Sequence, residues 1–176
     1  MVCESLIFGG LVGVASSFAA SKVFLSYTNS KLPVILTSDC LVVDTNENGD
    51  KYLVVKILNK TKHPILDTKV ELFGVTYQNE DHSVSTLDSL SSNTIHSIRE
   101  YSPHNKERPD AIWLGLKVTD EILKKLNNYD NIRIEITTRE SFYNTFLSLD
   151  KTLSIDKICD GYIFEKGDDM TCRKIR

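Results

Sequence analysis

The residue types able to do chemistry in this chain are few and badly spaced for it. Four cysteines, Cys3, Cys40, Cys159 and Cys172, are scattered with no C-x-x-C pair, and no histidine is spaced to complete a zinc site. They read as unpaired thiols of a reducing compartment, with a Cys159–Cys172 bridge across a hairpin as the alternative. The histidines His63, His82, His96 and His104 fall in expected turns or loops and read as surface residues. Cys159-Asp160 would pair a nucleophile with an orienting carboxylate, but no base lies nearby in sequence to take the thiol proton. Asp168-Asp169 is too short for a calcium site, and "TNENGD" (45–50) lacks the long loop and closing glutamate, so it reads as a hairpin turn. Asn59-Lys-Thr is a glycosylation sequon that matters only outside the cytoplasm. These residues imply no enzyme, no cofactor and no metal.

The elements that must carry these residues are more legible. At 176 residues, with 41% apolar and 26% charged residues, the chain fits one globular domain with an appendage. A net charge of −3 offers no basic face for nucleic acid. The appendage is N-terminal. "LIFGGLVGVASSFAA" (6–20) carries no charge, and apolar character resumes after Lys22 with "VFL". Twenty residues, 6–25, would make a helix of about 30 Å, one hydrocarbon thickness. A secretory leader would begin with basic residues, whereas this chain begins Met-Val-Cys-Glu-Ser. Lys22 and Lys31 flank the far side, which by the positive-inside rule puts the bulk of the chain in the cytoplasm as a single-pass protein. Gly9, Gly13, Ser17 and Ser21 recur every fourth residue, a small-residue stripe of the kind that packs helices together in lipid. In a segment this rich in Gly and Ser, chance would also produce it.

Beyond the appendage, short apolar runs alternate with turn chemistry. Strands are expected over 34–36, 40–43, 52–58 and 70–77, with a polar turn at 46–50. Residues 52–58 are apolar almost throughout and read as core. Residues 78–109 are polar and predict one or two short strands and an exposed loop. "AIWLGLKV" (111–118) is a strand, and Thr119 or Asp120 caps a short helix carrying Ile122, Leu123, Leu126 and Tyr129 on one face. "NIRIEITT" alternates cleanly, with Ile132, Ile134 and Ile136 on one side. A further strand follows through "SFYNTFLSL". In "IDKICDGYIF" (155–164), Asp160-Gly161 turns the chain into a last strand. The expected fold is all-β, an immunoglobulin-like β-sandwich with one short helix, preceded by an N-terminal transmembrane helix. Its parts are residues 1–30 as helix and connector, 31–165 as sandwich, and 166–176 as a polar tail.

One ordered set of segments adds to this. "SKLPVILTSDCLVV", "LVVKILNKTKHPILDTKVELF", "AIWLGLKVTDEI" and "YNTFLSLDKTLSIDKICDGYIFE", following an apolar helix, resemble the second half of an inward-rectifier potassium channel. The resemblance runs from about Gly10 to Phe164 and implies a pore-lining helix leading into a cytoplasmic sandwich that assembles as a tetramer. It also marks departures. The family's Gly-Tyr-Gly or Gly-Phe-Gly filter is missing, and no pore helix precedes Leu6, so the resemblance implies no potassium-selective pore from this chain alone. Lys31 remains where the family binds anionic lipid, but Ser26, Asn29 and Pro33 stand at positions that are often basic. Lys22 and Lys31 would therefore attract an anionic surface only weakly, at about 1 kcal/mol each. The acidic residue that faces the ion path in the family is replaced near Thr137-Thr138, which implies no rectifier-type block. The expectation is a membrane-anchored, non-enzymatic regulatory or channel-associated protein, homo-oligomeric, beside a pore-bearing membrane partner. The alternative is a tethered module that binds a protein or small ligand through its sandwich.

Overall fold

A computed structural model of the chain describes residues 16–24, 34–61, 63–78, 83–100, 111–141 and 144–175. Residues 1–32 and 33–176 form two units. In the first, residues 16–24 are helical. The remaining residues of the expected membrane span, 6–15 and 25, lie outside the described residues. No helix among the described residues is long and apolar enough to cross a membrane.

The second unit is all-β. Strands β1 (Ile35–Thr37), β2 (Leu41–Thr45), β3 (Lys51–Asn59), β6 (Ala111–Val118) and β9 (Ile158–Asp160) make one sheet. Strands β4 (Ile65–Gln78), β5 (Ser83–Ile98), β7 (Asn131–Glu140) and β8 (Phe146–Ser154) make the other, in the order β5-β4-β7-β8. The period-two patterns dictate how they face. Leu53, Val55 and Ile57 of β3 and Ile132, Ile134 and Ile136 of β7 are all at most 1% exposed and meet in one core with Val70, Leu72, Leu114 and Leu116. A sheet with one apolar face must bury it, and two such faces bury each other.

β1 and β2 run along the same edge of β3, antiparallel to it, but their registers differ. Ile35 pairs with Asn59 while Val42 pairs with Val54, so the chain bulges at residues 38–40. Ser38 holds that bulge: its N–H donates to the Lys56 carbonyl at 2.9 Å, and its hydroxyl accepts from the Lys56 N–H at 3.1 Å and donates to the Cys40 carbonyl at 2.8 Å. β9 then adds parallel to β2, through Leu41↔Ile158 and Val42↔Cys159.

The helix Asp120–Lys125 is capped as its sequence predicts: the Thr119 hydroxyl accepts from the Ile122 N–H. Two regions depart from expectation. Where the sequence predicts short strands and a loop, β5 is a single strand of sixteen residues pairing along nearly all of β4. Its polar sequence is that of a sheet-edge strand, whose pairing comes from the neighbour's backbone rather than from an apolar face of its own. The expected tail at 166–176 is corrected too. There β11 (Cys172–Lys174) pairs antiparallel with β10 (Tyr162–Phe164). This hairpin covers a second apolar cluster, Cys40, Val42, Val54 and Phe164, on the face of the first sheet turned away from the main core. Gly161 has φ +74°, which lets the chain leave β9 and enter β10.

Candidate functional site

A concavity of the second unit lies where the two sheets end. β1 is terminal in the first sheet's pairing order and β8 in the second's. Between them is a groove of about 410 Å³. Its floor is Ile134 and Ile136 of β7, whose other contacts are the sandwich core. One wall is Ile35, Leu36 and Thr37 of β1; the other is Leu149 and Asp150 of β8. The groove's floor is apolar because alternation on β7 turns Ile134 and Ile136 inward, while β1 is too short to cover them.

One end is tied shut. The Lys151 ammonium donates to the Thr37 carbonyl at 3.1 Å and the Ser38 carbonyl at 2.9 Å, and meets the Asp39 carboxylate at 2.6 Å. A lysine pointing inward from an edge strand thus pins the two sheets together. Met170 completes that end, and its carbonyl accepts from the Asp39 N–H at 3.4 Å.

A second polar site lies on the other side of the first sheet. Lys56 is fully buried in the middle of β3, and its ammonium donates to the Glu165 carbonyl at 2.6 Å and to the Asp169 carbonyl. Burial lowers its pKa, against the opposing pull of Asp169, Asp168 and Glu165. The Asp169 carboxylate accepts from the Thr171 N–H and hydroxyl, at 2.8 and 2.7 Å, and sits below the usual carboxylate range for that reason. Asp168-Asp169 therefore belongs to the loop that closes over a buried cation.

The residues singled out from sequence distribute as follows. Ser17, Ser21 and Lys22 are exposed on the helical segment 16–24, while Gly9, Gly13 and Lys31 lie outside the described residues. Asn46 organises its turn as an Asx motif, its side-chain oxygen accepting from the N–H groups of Asn48 and Asp50 at 3.0 and 2.9 Å. His96 pairs with Asp67 at 3.2 Å on the surface, the His63 carbonyl accepts from Asn59, and His82 and His104 lie outside the described residues. The Asn59 sequon is structural: its amide, 0% exposed, donates to the His63 and Ile98 carbonyls, at 3.0 and 3.1 Å. Thr137 is exposed, and Thr138 is buried against Thr68 at 2.8 Å. Among the described residues, no group of three or more His, Cys, Asp or Glu side chains is placed to hold a metal ion.

Sequence reasoning missed the groove and Lys56. For Lys56 a signal existed, a lone charge inside the apolar run "YLVVKIL". For the groove none did, since its walls lie more than a hundred residues apart.

No protein-family model matches the chain, and no curated protein sequence does. Among solved structures it is similar to part of DesR, a β-glucosidase from Streptomyces venezuelae in complex with D-glucose. That likeness has a TM-score of 0.33 and 12% identity, over 69% of this chain and 15% of that one. A likeness this slight carries no argument about what this chain is or does.

Proposed function

We propose that the chain is a membrane-tethered, non-enzymatic binding module whose immunoglobulin-like sandwich takes an extended segment of a partner protein into the groove between β1 and β8. The observation that carries this reading is the groove's construction: two terminal strands flank an apolar floor. An incoming strand would pair with such an edge through its backbone and send alternate side chains onto Ile134, Ile136 and Leu149. The tether is the apolar segment 6–25, with Lys22 and Lys31 held toward anionic headgroups.

The test is a panel of displayed random peptides selected on the full-length chain in detergent, with Leu149→Asp as the comparison. Leu149 is only partly buried, so the substitution alters the wall more than the fold. Extended apolar peptides that lose binding to Leu149→Asp support the reading. Peptides indifferent to that substitution refute it. Sodium carbonate extraction of membranes tests the tether, which requires the chain to stay in the pellet.

The ordered sequence segments favour a second reading, an inward-rectifier-like domain in a channel-associated oligomer. The spacing of Gly9, Gly13, Ser17 and Ser21 supports helix packing in such an assembly. The mass of the detergent-extracted protein separates the two: a tetramer favours the channel-like reading and a monomer the binding module.

A further inference from the structure

Three of the four cysteines, far apart in sequence, converge on the outer face of the first sheet. Cys40 projects from the 38–40 bulge and is 5% exposed; Cys159 on β9 and Cys172 on β11 are partly buried around it. The Cys40 and Cys172 sulfurs stand 2.6 Å apart. A disulfide bond is about 2.05 Å long, so the two sulfurs stand about half an ångström beyond bonding distance. Cys159 packs against the same cluster as Cys172, and its thiol donates to the Lys157 carbonyl at 3.7 Å.

The position matters because of what the hairpin covers. β10 and β11 bring Phe164 and Cys172 down onto Val42 and Val54, and the loop between them supplies both carbonyls that receive the Lys56 ammonium. Phe164 is itself held against Trp113, with ring centroids 6.0 Å apart. The hairpin is short, three residues a side, and two-stranded ribbons of that size are marginal on their own. A covalent bond from β11 to the bulge would fasten it.

We propose that Cys40 and Cys172 are a thiol–disulfide pair whose oxidation fastens the β10–β11 hairpin over Lys56. The oxidant is a low-molecular-weight disulfide. The more accessible Cys172 attacks it as the thiolate, forming a mixed disulfide and releasing one thiol. Cys40 then loses its proton to solvent and attacks the Cys172 sulfur, forming the internal bond and releasing the second thiol. The protein gives up two protons and two electrons, and the small disulfide takes up both electrons. The second step is the slow one. Burial holds the Cys40 thiol above the ordinary thiol range, so its thiolate is scarce and closure quickens as pH rises.

The test uses the full-length chain in detergent, equilibrated with oxidised glutathione, quenched with N-ethylmaleimide and mapped by peptide mass spectrometry. The expected product links the Cys40 and Cys172 peptides and leaves Cys159 alkylated. Amide exchange across 162–174 then slows by about tenfold or more, because fastening suppresses local opening of the hairpin. Cys172→Ser, at a partly exposed position, should abolish both effects in a protein that still folds, and Cys159→Ser should leave both in place. A dominant Cys159–Cys172 linkage would overturn the proposal. So would full alkylation of Cys40 and Cys172 after oxidation, or unchanged exchange in the linked protein.

Discussion

Gly74 should be irreplaceable for a reason that can be worked through from the structure. A Cβ added there would lie 2.6 Å from three ring carbons of Tyr129, Cε1, Cε2 and Cζ, so the ring lies flat over the strand. Carbon atoms rest about 3.5–4.0 Å apart, so the overlap approaches 1 Å on three atoms together. The ring has little freedom to retreat. Its hydroxyl donates to Asp88 at 3.0 Å, its backbone N–H to the Leu126 carbonyl at 3.1 Å, and the next N–H, of Asp130, to the Val75 carbonyl at 2.9 Å. Overpacking of this kind costs about 1–3 kcal/mol. A lost Tyr129–Asp88 bond adds about 1 kcal/mol. Alanine's lower unfolded-state entropy returns about 0.4–1 kcal/mol. Gly74→Ala is therefore expected to destabilise the domain by about 1–3.5 kcal/mol, read as a lower urea midpoint with an unchanged slope. A double-mutant cycle with Tyr129→Ala isolates the cause. The glycine substitution should cost at least about 1 kcal/mol less once the ring is gone. A neutral or stabilising Gly74→Ala, or strictly additive effects, would refute the reasoning.

Two further outcomes follow from the buried polar groups. The folded-state pKa of Lys56 is lowered, so between that value and its ordinary value of 10.5 the folded chain binds fewer protons than the unfolded one. Stability attributable to this group is then lost as pH falls through the folded pKa and fully regained above the unfolded one. Wild type should gain on Lys56→Met as pH approaches 10.5, as measured by denaturant titrations of both proteins at matched pH. A constant difference across that window would count against a buried ammonium. Asn59→Ala removes a side chain that donates to the His63 and Ile98 carbonyls and accepts from the Thr61 N–H. Leaving these groups unpaired in the interior should cost about 2–4 kcal/mol in chemical unfolding. A loss below about 0.5 kcal/mol, the range of ordinary surface substitutions, would mean that water replaces the amide.

How far the chain can be read without coordinates depends on the kind of signal each part carries. β7 was legible because Ile132, Ile134 and Ile136 alternate with polar residues, and a strand's two faces report burial directly. β6 was legible as a short apolar run, and the helix start because Thr119 is a side chain whose chemistry caps locally. β5 was not. Thr86, Leu87, Asp88 and Ser89 are all exposed, so the strand has no apolar face there to betray it. β11 was missed similarly: Arg173 and Lys174 are exposed, and the strand is held by its pairing with β10 rather than by an apolar face of its own.

The sequence alone determined an all-β body and the spacing of most of its strands, because period-two burial and turn chemistry are local properties of neighbouring residues. Tertiary structure decided everything that depends on distant segments meeting: the groove between β1 and β8, the loop that closes over Lys56, and the cysteines brought together from positions 40, 159 and 172. Those meetings are set by strand order, by the parallel pairing of β9 with β2, and by the bulge at Ser38. None of these leaves a mark on the residues next to them, so a one-dimensional pattern cannot carry them.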